Sequence, residues 1–121
     1  MKKHVLIVDD EASIIELLGE YLTLAGYRVT GVASEHQAEE VADRDSPDAI
    51  ITDLQLANSD GLEMISRLKS KLPETPVILL TGVHFDSKVV HEILNKKVSC
   101  YVEKTAPLSK VLAELKRILG T

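Results

Sequence analysis

Asp9, Asp10, Asp53, Thr81 and Lys104 carry the chemistry of this chain that belongs together. Each stands where an apolar run ends. Val5-Leu6-Ile7-Val8 leads into Asp9 and Asp10, Ala49-Ile50-Ile51-Thr52 into Asp53, Val77-Ile78-Leu79-Leu80 into Thr81, and Val98 to Val102 into Glu103-Lys104. Charged groups resist burial unless paired or bound to a cation. Three carboxylates in one place also repel one another. A divalent cation relieves both costs. Oxygen-only donors point to a hard ion, and Mg²⁺ suits because it takes few carboxylates and keeps several waters. A carboxylate can also attack phosphorus and form an aspartyl-phosphate. Phosphoryl transfer rests on positioning and charge neutralisation. The Lys104 ammonium and the Thr81 hydroxyl are suited to grip the transferred group.

These residues are far apart in sequence, so the elements between them must gather them. Ile14, Leu17, Leu18, Tyr21, Leu22 and Ala25 recur at three and four, predicting a helix over 12–25 with Gly26 as its left-handed stop. A strand over 27–32 follows. Ser34 and Gln37 form a capping box for a short helix with Ala38, Val41 and Ala42 inward. The third strand is Ala49–Thr52, and 54–59 reads as a loop. Asp60-Gly61 opens a helix carrying Met64, Ile65, Leu68 and Leu72, which Pro73 and Pro76 break. The fourth strand ends at Thr81-Gly82. A weaker helix is expected over 87–95 and a fifth strand over 98–102. The last helix starts near Pro107 and carries Leu108, Val111, Leu112, Leu115, Ile118 and Leu119.

Five alternations of strand and helix predict right-handed crossovers and a doubly wound parallel sheet, (βα)5, covered on both faces. Ligands of such sheets sit beyond the C-terminal strand ends, where the strand order reverses. Those ends carry the five residues, so they should meet at one rim.

The 121 residues make one domain, 45% hydrophobic and 27% charged, large enough for its own core. A single Cys forbids an internal disulfide and fits a reducing, cytoplasmic setting. No stretch reaches membrane-spanning length. The net charge of −5 and scattered basic residues argue against direct nucleic-acid binding.

Val-Asp-Asp-Glu at 8–11, Asp53 before Leu54, Asp60-Gly61, Thr81-Gly82, Tyr101 and Lys104 together resemble a two-component response-regulator receiver domain, of the chemotaxis-regulator kind, over nearly the whole chain. The resemblance implies a flavodoxin-like strand order, 2-1-3-4-5. It implies Asp53 as phospho-acceptor, with a histidine kinase or histidine phosphotransfer protein as donor. It implies Mg²⁺ on Asp10, Asp53 and the Gln55 backbone carbonyl, with Asp9 acting largely through water. Thr81 and Lys104 would grip the phosphoryl group, and Tyr101 would turn inward as Thr81 moves. The changed surface would be that of the fourth helix, fifth strand and fifth helix, a face open to a downstream protein or a homodimer. The expected unit is a receiver domain spanning 1–121 with no output domain in this chain. It would be a signalling switch and no enzyme beyond self-phosphorylation from small phosphodonors and slow autodephosphorylation.

The chain departs from the family pattern at three positions. Thr105 replaces the usual Pro after the lysine, and a non-proline cis bond costs about 3–4 kcal/mol, so a trans bond is expected. Ala106 replaces an aromatic, and Ala57 replaces a Pro. This altered segment motivates one alternative, a receiver-like scaffold that works without phosphorylation. A second, an aspartate-nucleophile phosphohydrolase, lacks the usual second Asp, because Gln55 occupies that position. Plainer readings exist for single residues. Asp9 and Asp10 would also suit a helix N-terminus, and Tyr101 would also suit simple packing. His4, His36, His84 and His91 lack metal-ligand spacing, and Cys100 reads as an inert packing residue.

Overall fold

The structure, a computed structural model, describes residues 2–53, 55–56, 59–82 and 98–121. Five parallel strands form one sheet: β1 (His4–Val8), β2 (Arg28–Val32), β3 (Ala49–Thr52), β4 (Val77–Thr81) and β5 (Cys100–Glu103), in the order β2-β1-β3-β4-β5. This is the doubly wound order expected. The three inner strands are apolar except for one residue at an end of each (His4, Thr52, Thr81) and are buried along their whole length, as a sheet covered on both faces requires.

Side chains alternate between two cores. Leu6, Val8, Ile50, Val77 and Leu79 meet α2 (Glu35–Arg44) and α3 (Gly61–Lys71). Val5, Ile7, Ile51, Ile78 and Val102 meet α1 (Ala12–Leu24) and the C-terminal helix (Leu108–Leu119). Met64, Ile65 and Leu68 of α3 and Val111 and Leu115 of the C-terminal helix are buried, as their spacing predicts.

The helix boundaries follow local chemistry. Ala25 caps α1 and Gly26 takes φ 104°, a conformation that glycine tolerates without strain. Ser34 Oγ accepts from the Gln37 backbone N–H at 3.3 Å, and Gln37 Oε1 reaches back to the Ala33 N–H at 2.9 Å. The reciprocal bond thus lands one residue before the cap.

Three expectations change. Its spacing places Leu17 on the inward face of α1, yet it is 56% exposed. It lies about 100° round the helix from Leu18, outside the seam that Leu18 and Leu22 bury. A loop is expected over 54–59, but Gln55–Leu56 and Ser59–Asp60 pair as a small antiparallel ladder before α3. The fifth strand runs over Cys100–Glu103, later than 98–102, although Val98 is buried and the Ser99 N–H already bonds the Val77 carbonyl. The helix expected over 87–95, with His84 and His91, lies outside the described residues.

Candidate functional site

The sheet register brings the acids together. Val8 of β1 pairs with Thr52 of β3, so the next residues, Asp9 and Asp53, sit side by side at the strand tips. The ladder continues one step past both strands. The Asp9 N–H donates to the Val32 carbonyl and the Asp53 N–H to the Val8 carbonyl, each at 3.1 Å. Buried apolar strands thereby carry both carboxylates to nearly full burial, Asp9 at 1% exposure and Asp53 at 5%. Asp10 points out of the strand alternation and is exposed.

On the other side, Thr52 pairs with Leu79, and Thr81 pairs with Glu103. Thr81 therefore lies at the same rim and is wholly buried. The Lys104 N–H donates to the Thr81 carbonyl at 2.7 Å, which fixes where the lysine leaves β5. Its side chain then crosses the rim. Lys104 Nζ stands 2.9 Å from Asp53 Oδ2, 3.0 Å from Asp9 Oδ2 and 2.8 Å from Glu11 Oε1. The Lys104–Thr105 bond is trans.

The electrostatics follow from this crowding. Burial pushes the Asp9 carboxyl above the usual carboxylate range, and the Asp53 charge adds to that rise. The Glu11 backbone N–H at 2.9 Å and the Lys104 ammonium pull the other way. Burial opposes the charge on Lys104, but its bonds to Glu11, Asp53 and Asp9 together hold the ammonium above its ordinary value. Asp9 Oδ2 is buried and close to Nζ, yet among the described residues no hydrogen bond is directed at it. A buried carboxylate oxygen answered only by a neighbouring charge is costly. Asp9, Asp10, Glu11 and Asp53 each offer a carboxylate oxygen, and these oxygens lie within 4.8 Å of one another. An oxygen-only donor set with this orphaned atom fits a small hard cation.

Glu11 joins the site without a motif of its own to announce it. The signal was present in the unbroken acidic run Asp9-Asp10-Glu11, but its approach to Lys104 depends on where β5 ends. Gln55 opens the small ladder two residues after Asp53, with its backbone paired to Asp60. Tyr101 is half-buried against the core beneath α2 and α3 and pairs with Leu79. Ala106 is partly buried beside the C-terminal helix core.

The remaining singled-out residues fall outside the site. His4 is buried at the opposite end of β1, with Nε2 2.7 Å from the Thr30 hydroxyl. His36 is exposed beside Glu40. Cys100 is half-buried, and burial first, then the Glu114 carboxylate, pushes its thiol up to about 11. Among the described residues, no helix is long and apolar enough to cross a membrane.

Comparison with known proteins agrees with the geometry. Residues 5–116 match the family described as the response regulator receiver domain. Regulatory protein VirG of Agrobacterium tumefaciens (strain 15955) is 32% identical over 114 residues, covering 94% of this chain and 42% of VirG. The alkaline phosphatase synthesis transcriptional regulatory protein PhoP of Bacillus subtilis is 31% identical, covering 98% of this chain and 49% of PhoP. The chain thus spans less than half the length of these relatives. Among solved structures, the chemotaxis protein CheY4 of Vibrio cholerae superposes with a TM-score of 0.89 at 26% identity, covering 98% of this chain and 99% of that one. The BeF3-activated DrrB receiver domain gives 0.88 at 27% identity with full coverage of both. Strand order, rim chemistry and this match over most of its length lead to one conclusion: the chain belongs to the receiver domain family of two-component response regulators.

Proposed function

We propose that this chain is a phosphorylation-dependent switch in which Asp53 accepts a phosphoryl group from a histidine kinase or a histidine phosphotransfer protein. The contact of Lys104 Nζ with Asp53 Oδ2 at 2.9 Å, beside the buried Asp9, carries this reading. It supplies an acceptor carboxylate, a positive charge beside it and an acidic pocket at one point. An Asp53 oxygen forms the new O–P bond while the N–P bond of the phosphohistidine breaks, its electron pair returning to the imidazole nitrogen. Asp10, Asp53 and the Gln55 carbonyl would hold Mg²⁺, with Asp9 acting largely through water. When bound, the ion neutralises charge on the transferred oxygens. Lys104 shifts its pairing from Asp53 to a phosphoryl oxygen, and the Thr81 hydroxyl donates to another.

The signal would leave the site through Thr81 and Tyr101. Drawing Thr81 inward moves the start of the loop after β4, and Tyr101 packs into the space this movement opens. The face around β5 and the C-terminal helix then changes for a downstream protein or a second copy. On this reading residues 1–121 form a receiver unit in a cytoplasmic setting, acting as an acceptor without turning over external substrates. The reach of Lys104 despite Thr105 speaks against a scaffold that has abandoned phosphorylation.

The test is incubation with acetyl phosphate and Mg²⁺ followed by intact-mass measurement. A gain of about 80 Da is expected, absent in Asp53→Asn and absent when the cation is chelated. No gain, or the same gain in Asp53→Asn, would overturn the reading.

A further inference from the structure

We propose that the groove between α1 and the edge strand β2 docks a cationic amphipathic helix of a partner protein. On the sheet face shared by α1 and the C-terminal helix, β2 is the outermost strand, and its Val29 and Gly31 turn toward α1. The groove has a volume of about 590 Å³. One glycine opens it. Gly19 of α1 contributes no side chain where helix and strand face each other, while at Gly31 of β2 the Ile15 side chain takes the space a Cβ would need.

Three observations define the occupant. The first is apolarity. Leu24 lies at the end of the groove and is 89% exposed; with Leu17 it is one of the two large hydrophobic side chains exposed among the described residues. The Thr23 hydroxyl is turned back to the Gly19 carbonyl at 2.7 Å, which occupies its donor locally. The second is charge. Glu16 and Glu20, four apart on α1 and both exposed, are the charged residues of the lining. The Arg28 guanidinium on β2 is already bound by both carboxylate oxygens of Asp45. A partner therefore meets negative charge beside an apolar floor, which selects Lys or Arg flanking a Leu- or Ile-type anchor. The third is shape. The lining runs along α1 from Ile15 to Leu24, about 14 Å at 1.5 Å per residue. A helix laid there would join α1 and the C-terminal helix as a third member of that layer, its close approach permitted by Gly19.

The floor can be filled without breaking the fold. A Cβ at Gly19 would meet only Val29 Cγ1 at 3.8 Å, an ordinary contact. Gly19→Leu thus plugs the groove, and Leu24→Ala removes its exposed apolar end.

The experiment titrates a short helical peptide of leucine and lysine into the isotope-labelled full chain and follows amide shifts by NMR. Expected are shifts centred on Gly19, Thr23, Leu24 and Gly31, with affinity weakened about tenfold or more in both Gly19→Leu and Leu24→Ala. A peptide with the same leucines and glutamate in place of lysine should not bind. Shifts elsewhere, equal affinity in both variants, or equal binding of the glutamate peptide would overturn the proposal. Groove shifts that appear on concentrating the chain alone would also overturn it, by showing a second copy as the occupant. The result is independent of Asp53 phosphorylation, since the protein is titrated without phosphodonor.

Discussion

The backbone N–H of Lys104 donates to the carbonyl of Thr81 at 2.7 Å, joining the two residues at the rim through the main chain. The lysine therefore starts from a fixed point, and its long side chain need only span the strand tips to reach Asp53, Asp9 and Glu11.

Lys104→Met should destabilise the cation-free protein by about 1–3 kcal/mol. Removing one partner of a fully buried pair costs about 3–5 kcal/mol, and water reaching the rim beside the partly exposed Lys104–Glu11 pair lowers that figure here. Added Mg²⁺ should recover most of the loss, because the same carboxylates then face a cation. Urea unfolding with and without Mg²⁺ measures both quantities. Equal stability of variant and parent without the ion would contradict the electrostatic account.

A methyl group at Gly31 has nowhere to go. An ideal Cβ there would lie 2.2 Å from Ile15 Cγ2, a methyl held by a stiff β-branched side chain. Gly31→Ala should cost about 1–3 kcal/mol, and Ile15→Ala in the same chain should return part of it. A double-mutant cycle reads the coupling directly. Additive single effects would show that the two residues do not press on each other.

Ser34→Ala should cost about 1 kcal/mol through loss of the bond to the Gln37 N–H. Ser34→Asp should retain most of the stability, since a carboxylate serves the same N–H and favours a helix N-terminus. Thermal or urea unfolding distinguishes the two. An unchanged Ser34→Ala midpoint would mean that α2 draws nothing from its cap.

The Cys100 thiol should titrate near 11, raised from 9.0 by burial and by Glu114. The folded chain then keeps a proton that the unfolded chain releases, so stability falls as pH rises through that interval. Thiolate absorbance should give the high midpoint in native protein and a value near 9.0 in denaturant. Alkylation at neutral pH should be slow. A native midpoint at or below 9.0 would refute the assignment of Cys100 as an inert packing residue.

Local order was legible in the chain before any coordinates. Apolar runs of four or five marked the buried strands, and the helix that bears Met64, Ile65 and Leu68 followed its three-and-four spacing. Glycine after Ala25 and serine at 34 marked ends that depend only on neighbouring backbone. The acidic, hydroxyl and ammonium residues were visible as a set because each follows an apolar run. Parallel strands of similar length must bring such ends to one edge.

Tertiary structure alone decided the rest. Leu17 and Leu18 have the same chemistry, and only packing shows that the seam buries one and leaves the other in water. Glu11 joined the site because parallel register and the end of β5 brought Lys104 across to it, a distance no spacing rule contains. The Gly19–Gly31 groove likewise pairs two residues twelve apart that mean nothing until a helix is laid beside a strand. Sequence patterns report each residue's preference for its own backbone and for burial. Which distant side chains then touch is set by how the layers register, and that is a property of the folded whole.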